Sequence, residues 1–289
     1  MTDPINTTTW RQRLRSYRKH PGSLLLLALV CLAALITAAA LLFVVGYILV
    51  KGIPNLSLSL FEWKYTTENV SLMPALINTL FMTVLALLFA VPVGIGAAIY
   101  LTEYATRGNK LVNLMRITAE TLSGIPSIVY GLFGSLFFVK ALHMGLSLLS
   151  GALTLAIMIL PLIMRTTEEA LLAVPDSYRE GSFGLGAGRL RTVARVVLPS
   201  AIPGILSGVI LGIGRIVGES AALIFTAGTV AEVATGLFDS TRTLAVHMYS
   251  ISGEGLYIDE TYATAVVLLV VVIAINALSS FAAKKLSKQ

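Results

Sequence analysis

The longest polar interval in this sequence runs from Arg165 to Pro199 and reads RTTEEALLAVPDSYREGSFGLGAGRLRTVARVVLP. It contains five arginines, four acidic residues and a glycine-rich turn, and apolar segments lie on both sides of it. An interval of this length is too short to form a domain with a core of its own. We therefore interpret it as a docking element, whose partner depends on what the flanking segments build.

The composition of the chain indicates a protein embedded in a lipid bilayer. Of its 289 residues, 56% are hydrophobic and only 12% are charged, whereas soluble domains carry about 25% charged residues. The net charge is +6, but the basic residues are spread along the chain and form no single patch. We therefore expect the bilayer to be the main surrounding and expect no nucleic-acid partner.

Six apolar segments predict an all-α integral membrane protein with six transmembrane helices, in one domain from 22 to 283. The segments cover about 22–50, 73–101, 111–139, 146–164, 201–227 and 262–283. A basic segment, 1–21, precedes the domain, and a short basic tail, 284–289, follows it. The third apolar segment contains Ser-Gly-Ile-Pro-Ser at 123–127, which predicts a helix break facing protein or water rather than lipid.

The lysines and arginines predict the orientation of the chain. If the N-terminus is cytoplasmic, sixteen of the 21 basic residues lie in cytoplasmic segments, four lie outside and one, Arg215, lies within a span. Cytoplasmic loops of membrane proteins carry an excess of lysine and arginine. This distribution predicts that both termini and the 165–199 loop are cytoplasmic.

Within the 165–199 loop, the sequence predicts a helix–turn–helix. Asp176 is a suitable N-cap for a first helix that extends to Phe183, and a glycine-rich turn with Gly186 at its bend follows. A second, amphipathic helix then places apolar residues on one face, at positions 190, 193, 194 and 197. By composition alone, a solvated basic loop that only fixes the topology is an equal alternative.

The spacing of this loop resembles the signature of ABC importer permeases, in which Glu-Ala-Ala is followed at fixed intervals by glycine and by Leu-Pro. The matching residues are Glu180, Gly181, Ser182, Gly186, Leu198 and Pro199. The departures are Gly181 and Ser182 in place of alanines, and Val196 in place of isoleucine. The resemblance implies a type I ABC importer permease fold, with the loop as a cytoplasmic coupling helix that contacts a separate ATPase.

The fifth apolar segment resembles phosphate-specific (Pst) permeases, in particular PstA-type subunits. It contains Gly214-Arg215-Ile-Val-Gly218-Glu219-Ser220, which is similar to their Gly-Arg-x-x-Gly-Glu-Ser/Thr segment. Ala222 stands where that family has proline. The resemblance covers the chain from about residue 73 onwards, and it implies an inner-membrane permease for inorganic phosphate.

The spacing of Arg215 and Glu219 predicts a site for physical reasons as well. Residues four apart share one face of a helix, and each charge at the centre of a membrane helix costs about 2.5–3.5 kcal/mol on insertion scales. A guanidinium also matches two oxygens of a phosphate. We expect Arg215 to contact the substrate in the pathway and Glu219 to be its resting partner, with a static ion pair between helices as the alternative.

The sequence contains no motif for a catalytic, cofactor or metal site. A phosphate-binding P-loop, a nucleophile elbow and a zinc-protease motif are all missing, and the three histidines match no metal-ligand spacing. We expect no enzyme activity and no cofactor on this chain. ATP and magnesium belong to a partner ATPase.

The resemblance implies three kinds of protein partner: a second, PstC-like permease, two copies of a PstB-like ATPase and an extracytoplasmic PstS-like phosphate-binding protein. Two alternatives remain open. One is a permease for another oxyanion or small solute, and the other is a stand-alone secondary transporter, which would predict inverted repeats that we do not find.

Overall fold

The computed structural model describes residues 21–106 and 108–286, and these ranges contain helices and loops but no strand. This confirms the all-α prediction. Most of the predicted basic N-terminal segment, 1–20, and the end of the predicted tail, 287–289, lie outside the described residues.

The helices of the described ranges are numbered here in chain order. Their bounds are α1 Pro21–Gly52, α2 Met73–Ile99, α3 Lys110–Ser123, α4 Ser127–Gly134, α5 Leu148–Leu172, α6 Asp176–Gly184, α7 Arg189–Thr192, α8 Leu198–Val217, α9 Ala221–Ile224, α10 Leu244–Glu254 and α11 Ile258–Leu286. Short π-helical segments follow α2, α4 and α7, at Tyr100–Tyr104, Ser135–Ala141 and Val193–Val197.

Five of the described helices are long and apolar enough to cross a membrane, namely α1, α2, α5, α8 and α11. The sixth candidate is the pair α3 and α4, which are bent by 102° at the predicted Ser-Gly-Ile-Pro-Ser break. Pro126 ends the first helix of this pair because proline disfavours a helical residue before it. The sequence therefore located the break, but it did not indicate so sharp a bend.

Two predicted helix bounds differ from the structure. The fourth apolar segment was expected to end at residue 164, but α5 continues for two further turns to Leu172, because strong helix formers and an Arg165–Glu169 ion pair at i and i+4 extend it. The predicted fifth span, 201–227, is not one helix. It starts earlier, at Leu198, ends at Val217 and resumes only as the short α9.

The described part of the chain divides at Lys51 into two units. The first consists of α1, and the second, from Gly52 onwards, contains all the features considered below. In the second unit, α5 lies between α2 and α8, and α8 also packs against α11. Fully buried side chains such as Met82, Leu155 and Ile159 form the core between these helices.

Close contact between α5 and α8 depends on the glycine stripe of α8. The sequence places Gly204, Gly208 and Gly212 at intervals of four, which predicts close approach of another helix. The structure confirms this: a Cβ at Gly204 would lie 2.6 Å from Ala170 Cβ, and one at Gly208 would lie 2.7 Å from Thr166 Cβ. This packing fixes the position of α8, which carries Arg215.

Candidate functional site: an unpaired arginine and a coupling loop

Arg215 lies in the last turn of α8, where the helix approaches its end at Val217. Its side chain is half-buried, and among the described residues no carboxylate forms an ion pair with it. Its charge acts on the nearby Tyr130, a buried residue of α4 whose hydroxyl donates to the Leu122 carbonyl at 2.7 Å. Arg215 is thus an intramembrane cation that is held close to the bend between α3 and α4.

Glu219 does not pair with Arg215, so the predicted resting ion pair is wrong for this conformation. The helix stops at Val217, and residues after the stop no longer share the face of Arg215. The Glu219 carboxylate instead accepts a hydrogen bond from the Ala222 N–H at 3.0 Å. It therefore caps the first turn of α9, where a negative charge is favourable.

The break between α8 and α9 is held against α4. A Cβ at Gly131 would lie 2.7 Å from the Ala222 Cα, so only glycine allows α9 to approach this closely. A Cβ at Gly134 of the same helix would lie 2.8 Å from Thr226 Cγ2. The bent α3–α4 pair and the broken α8–α9 pair consequently meet, and Arg215 lies beside their junction.

The 165–199 interval contains the predicted helix–turn–helix, formed by α6 and α7. Gly186 has φ +82°, a left-handed conformation that glycine adopts without strain, and a hydrogen bond of 2.9 Å between Ser182 Oγ and Thr192 Oγ1 joins the two helices. Glu180, Gly181 and Pro199 are exposed, and Leu198 is half-buried at the start of α8.

The surface of this helix–turn–helix is partly apolar. Leu185 is 91% exposed and Leu190 is 74% exposed, although leucine normally avoids water. Leu190 was expected on the packed face of the second helix, where Val193 and Val197 are indeed buried. Its exposure, next to that of Leu185, gives this part of the loop the character of a docking surface.

An ion pair that the sequence analysis did not predict fastens α6 to the end of α2. The Arg179 guanidinium donates to the Glu103 carboxylate at 2.7 Å, to the Leu171 carbonyl at 2.9 Å and to the Val174 carbonyl at 2.8 Å. Glu103 is 8% exposed, and its hydrogen bond raises the pKa of Arg179 further above its ordinary value. One side chain thereby joins α2, α5 and α6.

A second group of charges lines a cavity of about 490 Å³ between α3 and α5. Arg116 pairs with Glu168 at 2.5 Å, and Arg165 pairs with Glu169 at 3.1 Å and with Glu120 at 3.8 Å. The last two pairs are largely exposed, so each contributes little to stability. All of the cations in this cavity are paired, in contrast to Arg215.

Comparison with known proteins identifies the family of the chain. Residues 90–289 match the model of the binding-protein-dependent transport system inner membrane component family. The chain belongs to this family. It is 36% identical over 243 residues to the probable ABC transporter permease protein YqgI of Bacillus subtilis, covering 79% of this chain and 82% of that protein.

A further relative and a solved structure are similar to the permease. It is 35% identical to the phosphate transport system permease protein PstA of Haemophilus influenzae, over 75% of this chain and 77% of that protein. It superposes with TM-score 0.63 and 16% identity on a bacterial ABC transporter that imports alginate, over 94% of this chain and 99% of that one. The second likeness establishes the type I importer permease fold.

These findings define the class of the protein. The permease is an integral component of the inner membrane and not an enzyme, since ATP hydrolysis in this family belongs to a separate subunit. It works with a second permease, an ATPase and a substrate-binding protein.

Proposed function

We propose that this permease is the PstA-type subunit of an ATP-driven importer of inorganic phosphate. The observation that carries the proposal is Arg215, an arginine within a transmembrane helix that has no carboxylate partner among the described residues. A guanidinium presents parallel N–H groups to two oxygens of a phosphate. The relative named as a phosphate permease supports this choice of anion.

Arg215 serves as a transient contact in this proposal. A charge inside the membrane is functional by default because its burial is costly. Since Glu219 caps α9, phosphate can reach Arg215 without displacing a carboxylate. Glu219 contributes by holding the break that leaves Arg215 free. Discrimination between phosphate and sulfate belongs mainly to a PstS-like binding protein, because a transient contact has no need to bind tightly.

The coupling part of the proposal concerns the α6–α7 loop, which sits in a cleft of a PstB-like ATPase. The residues that carry this coupling are Glu180, Gly181, Ser182, Gly186, Leu198 and Pro199. ATP and magnesium bind to that ATPase and not to this chain. Closure of the ATPase dimer draws this loop and that of a PstC-like permease together and opens the pathway outward, and hydrolysis resets it. The distribution of basic residues supports a cytoplasmic location for the loop and both termini.

Phosphate uptake by proteoliposomes that contain the complete importer tests the proposal. Arg215→Gln should abolish ATP-dependent uptake while the complex still assembles, because the contact with the anion is lost. Ser207→Ala is the matched control on the same helix, since the Ser207 hydroxyl bonds only to the Pro203 carbonyl one turn earlier. Wild-type uptake by the Arg215→Gln importer would refute the role of Arg215.

Competition distinguishes the alternative cargoes, because the fold itself is shared with importers of other substrates, such as alginate. Unlabelled phosphate and arsenate should suppress uptake, and sulfate should not. ATP-dependent uptake of a different solute, with no uptake of phosphate, would favour a permease for that solute. Uptake without the ATPase would favour a secondary transporter.

A further inference from the structure

The end of the bundle that contains the N-terminus of α10 has an unusual concentration of buried hydrogen-bonding atoms without partners. In the described ranges, seven buried side-chain nitrogen or oxygen atoms lack a hydrogen bond, and five of these belong to Arg242, Thr243 and His247. Buried polar groups are normally satisfied, and each exception calls for an explanation. Their clustering within six residues indicates one local cause.

Arg242 is the centre of this group. It is only 6% exposed, and its Nε and Nη2 atoms have no acceptor among the described residues. Its guanidinium lies over the ring of Tyr65, 4.6 Å from the centroid, which compensates only part of the buried charge. An arginine cannot lose its proton, so an unpaired buried guanidinium is costly unless an anion neutralises it.

The nearby carboxylates of the chain do not supply this negative charge. None of the ion pairs among the described residues includes Arg242. Glu62 is instead engaged by Asn69 at 2.7 Å. Glu232 contributes its backbone carbonyl, which accepts from Asn78 at 2.8 Å, while its side chain is exposed.

The groups next to Arg242 are donors of the kind that bind anions. Thr243 is the N-cap of α10, and its buried hydroxyl makes no capping bond. The first N–H groups of a helix have no intrahelical acceptor and carry a partial positive charge. In α10, the N–H group of Leu244 already donates to Thr79 Oγ1 at 2.8 Å. Tyr65, which lies against Arg242, also lines a cavity of about 420 Å³ together with Lys64 and Glu232, so this cavity lies one side chain away from Arg242.

We propose that Arg242, the Thr243 hydroxyl and the first turn of α10 bind a single phosphate-type oxyanion. The site lies at the opposite end of α2 from the coupling loop, because Thr79 and Glu103 are separated by roughly 36 Å of helix. Its residues do not include Arg215, which belongs to α8. That the anion is inorganic phosphate rests on the proposed function, and at this end of the bundle the site would receive phosphate on its way to Arg215.

Thermal unfolding of the detergent-solubilised full chain tests the site without requiring transport. With inorganic phosphate about tenfold above its Kd, Tm of the wild type should rise by about 2–3 °C, and chloride at equal ionic strength should not raise it. Arg242→Gln should raise Tm in the absence of phosphate, since it removes an uncompensated charge, and should abolish the phosphate-dependent rise. Thr243→Val, which keeps the shape of the side chain, should weaken phosphate binding several-fold.

Control variants and probes separate the other outcomes. Ser207→Ala should keep the phosphate-dependent rise. A wild-type importer that fails to transport phosphate, while the wild-type chain shows this rise, would refute the proposed function and leave the site standing. A rise with phosphatidylglycerol micelles but not with inorganic phosphate would assign the site to a lipid headgroup and overturn phosphate as its ligand.

Three results would overturn the site itself. The first is an equal phosphate-dependent rise in the wild type and Arg242→Gln. The second is a lower Tm of Glu232→Gln without phosphate, which would identify Glu232 as the counter-charge. The third combines two observations: the wild type shows no phosphate-dependent rise, and Arg242→Gln assembles more weakly with the second permease or the binding protein. Together they would identify a carboxylate of a partner as the counter-charge of Arg242.

Discussion

At the scale of single residues, the ion pair between Glu103 and Arg179 leads to a prediction about stability. Glu103→Gln removes the buried partner of a guanidinium that is 15% exposed and leaves it only the exposed Asp176, at 3.2 Å. Breaking a buried pair costs about 3 kcal/mol at most when a second carboxylate remains. We expect a corresponding loss in the free energy of unfolding of the detergent-solubilised chain. In the assembled importer, ATP hydrolysis should continue while uptake falls, because α6 is no longer fastened to α2.

Glu169→Gln is the matched control for this prediction. Glu169 also pairs with an arginine, at 3.1 Å, but both side chains are more than half exposed, so the loss should be below about 0.5 kcal/mol. Equal losses in the two variants would show that burial of the Glu103 pair has no consequence.

The same residues show what the sequence could and could not predict at this scale. Arg215 was identifiable because a charge within a long apolar run is conspicuous by itself. The pairing of Arg179 with Glu103 was not, because 76 residues separate them and no local pattern connects them. Arg242 was placed outside the membrane by charge counting, but its burial depends on Tyr65, which is 177 residues away in sequence, and on the packing of α10 against the rest of the chain.

At the scale of helices, the α5–α8 contact leads to a second prediction. Gly208→Ala would place its Cβ 2.7 Å from the Cβ of Thr166, which is not the flexible end of a side chain. Because the two helices must move apart, we expect a loss of about 1–3 kcal/mol in the free energy of unfolding. Gly96→Ala in α2 meets no atom within 4 Å and should stabilise the chain by up to about 1 kcal/mol. Unchanged or increased stability of Gly208→Ala would contradict the close contact.

Helix boundaries divide into those that the sequence determines locally and those that it does not. Pro126 and Gly186 end helices by their own backbone chemistry, and both breaks were predictable. The end of α8 at Val217 was not, since the apolar run continues to Ala227 and its hydrophobicity indicates one uninterrupted span. The stop depends instead on a local hydrogen bond by which Glu219 caps α9 and on Gly131, which admits α9 against α4. The second of these is a tertiary interaction.

At the scale of the whole molecule, the fold places Arg215, Arg242 and the α6–α7 loop at different positions along the helices. The glycine stripe and the α2–α5 core form a rigid centre, and Arg215 lies at the helix break beside it. The α6–α7 loop is fastened to one end of this centre through Arg179, and Arg242 lies at the other end. In the proposed function, displacement of the loop by the ATPase would reach Arg215 through α8, which starts directly after the loop.

The stability of the whole chain should depend on pH through His247, and this gives the last prediction. Burial, and secondarily the charge of Arg242, lower the pKa of His247 to about 3. Between about pH 6.5 and pH 3 the unfolded chain binds a proton there that the folded chain does not, so stability is lost as the pH falls through this window. The loss at pH 5 is about 2 kcal/mol.

Because carboxylates elsewhere also titrate at low pH, the measured quantity is the difference between the wild type and His247→Leu. Unfolding is followed in phosphate-free buffer from about pH 7.5 to about pH 5, so that no anion near Arg242 alters the charge beside the imidazole. The variant removes two buried nitrogens that lack partners among the described residues, and it should lose about 2 kcal/mol less than the wild type over this range. Parallel pH profiles of the two proteins would show that His247 binds its proton equally well in the folded and unfolded chains, and would contradict its burial as a neutral imidazole.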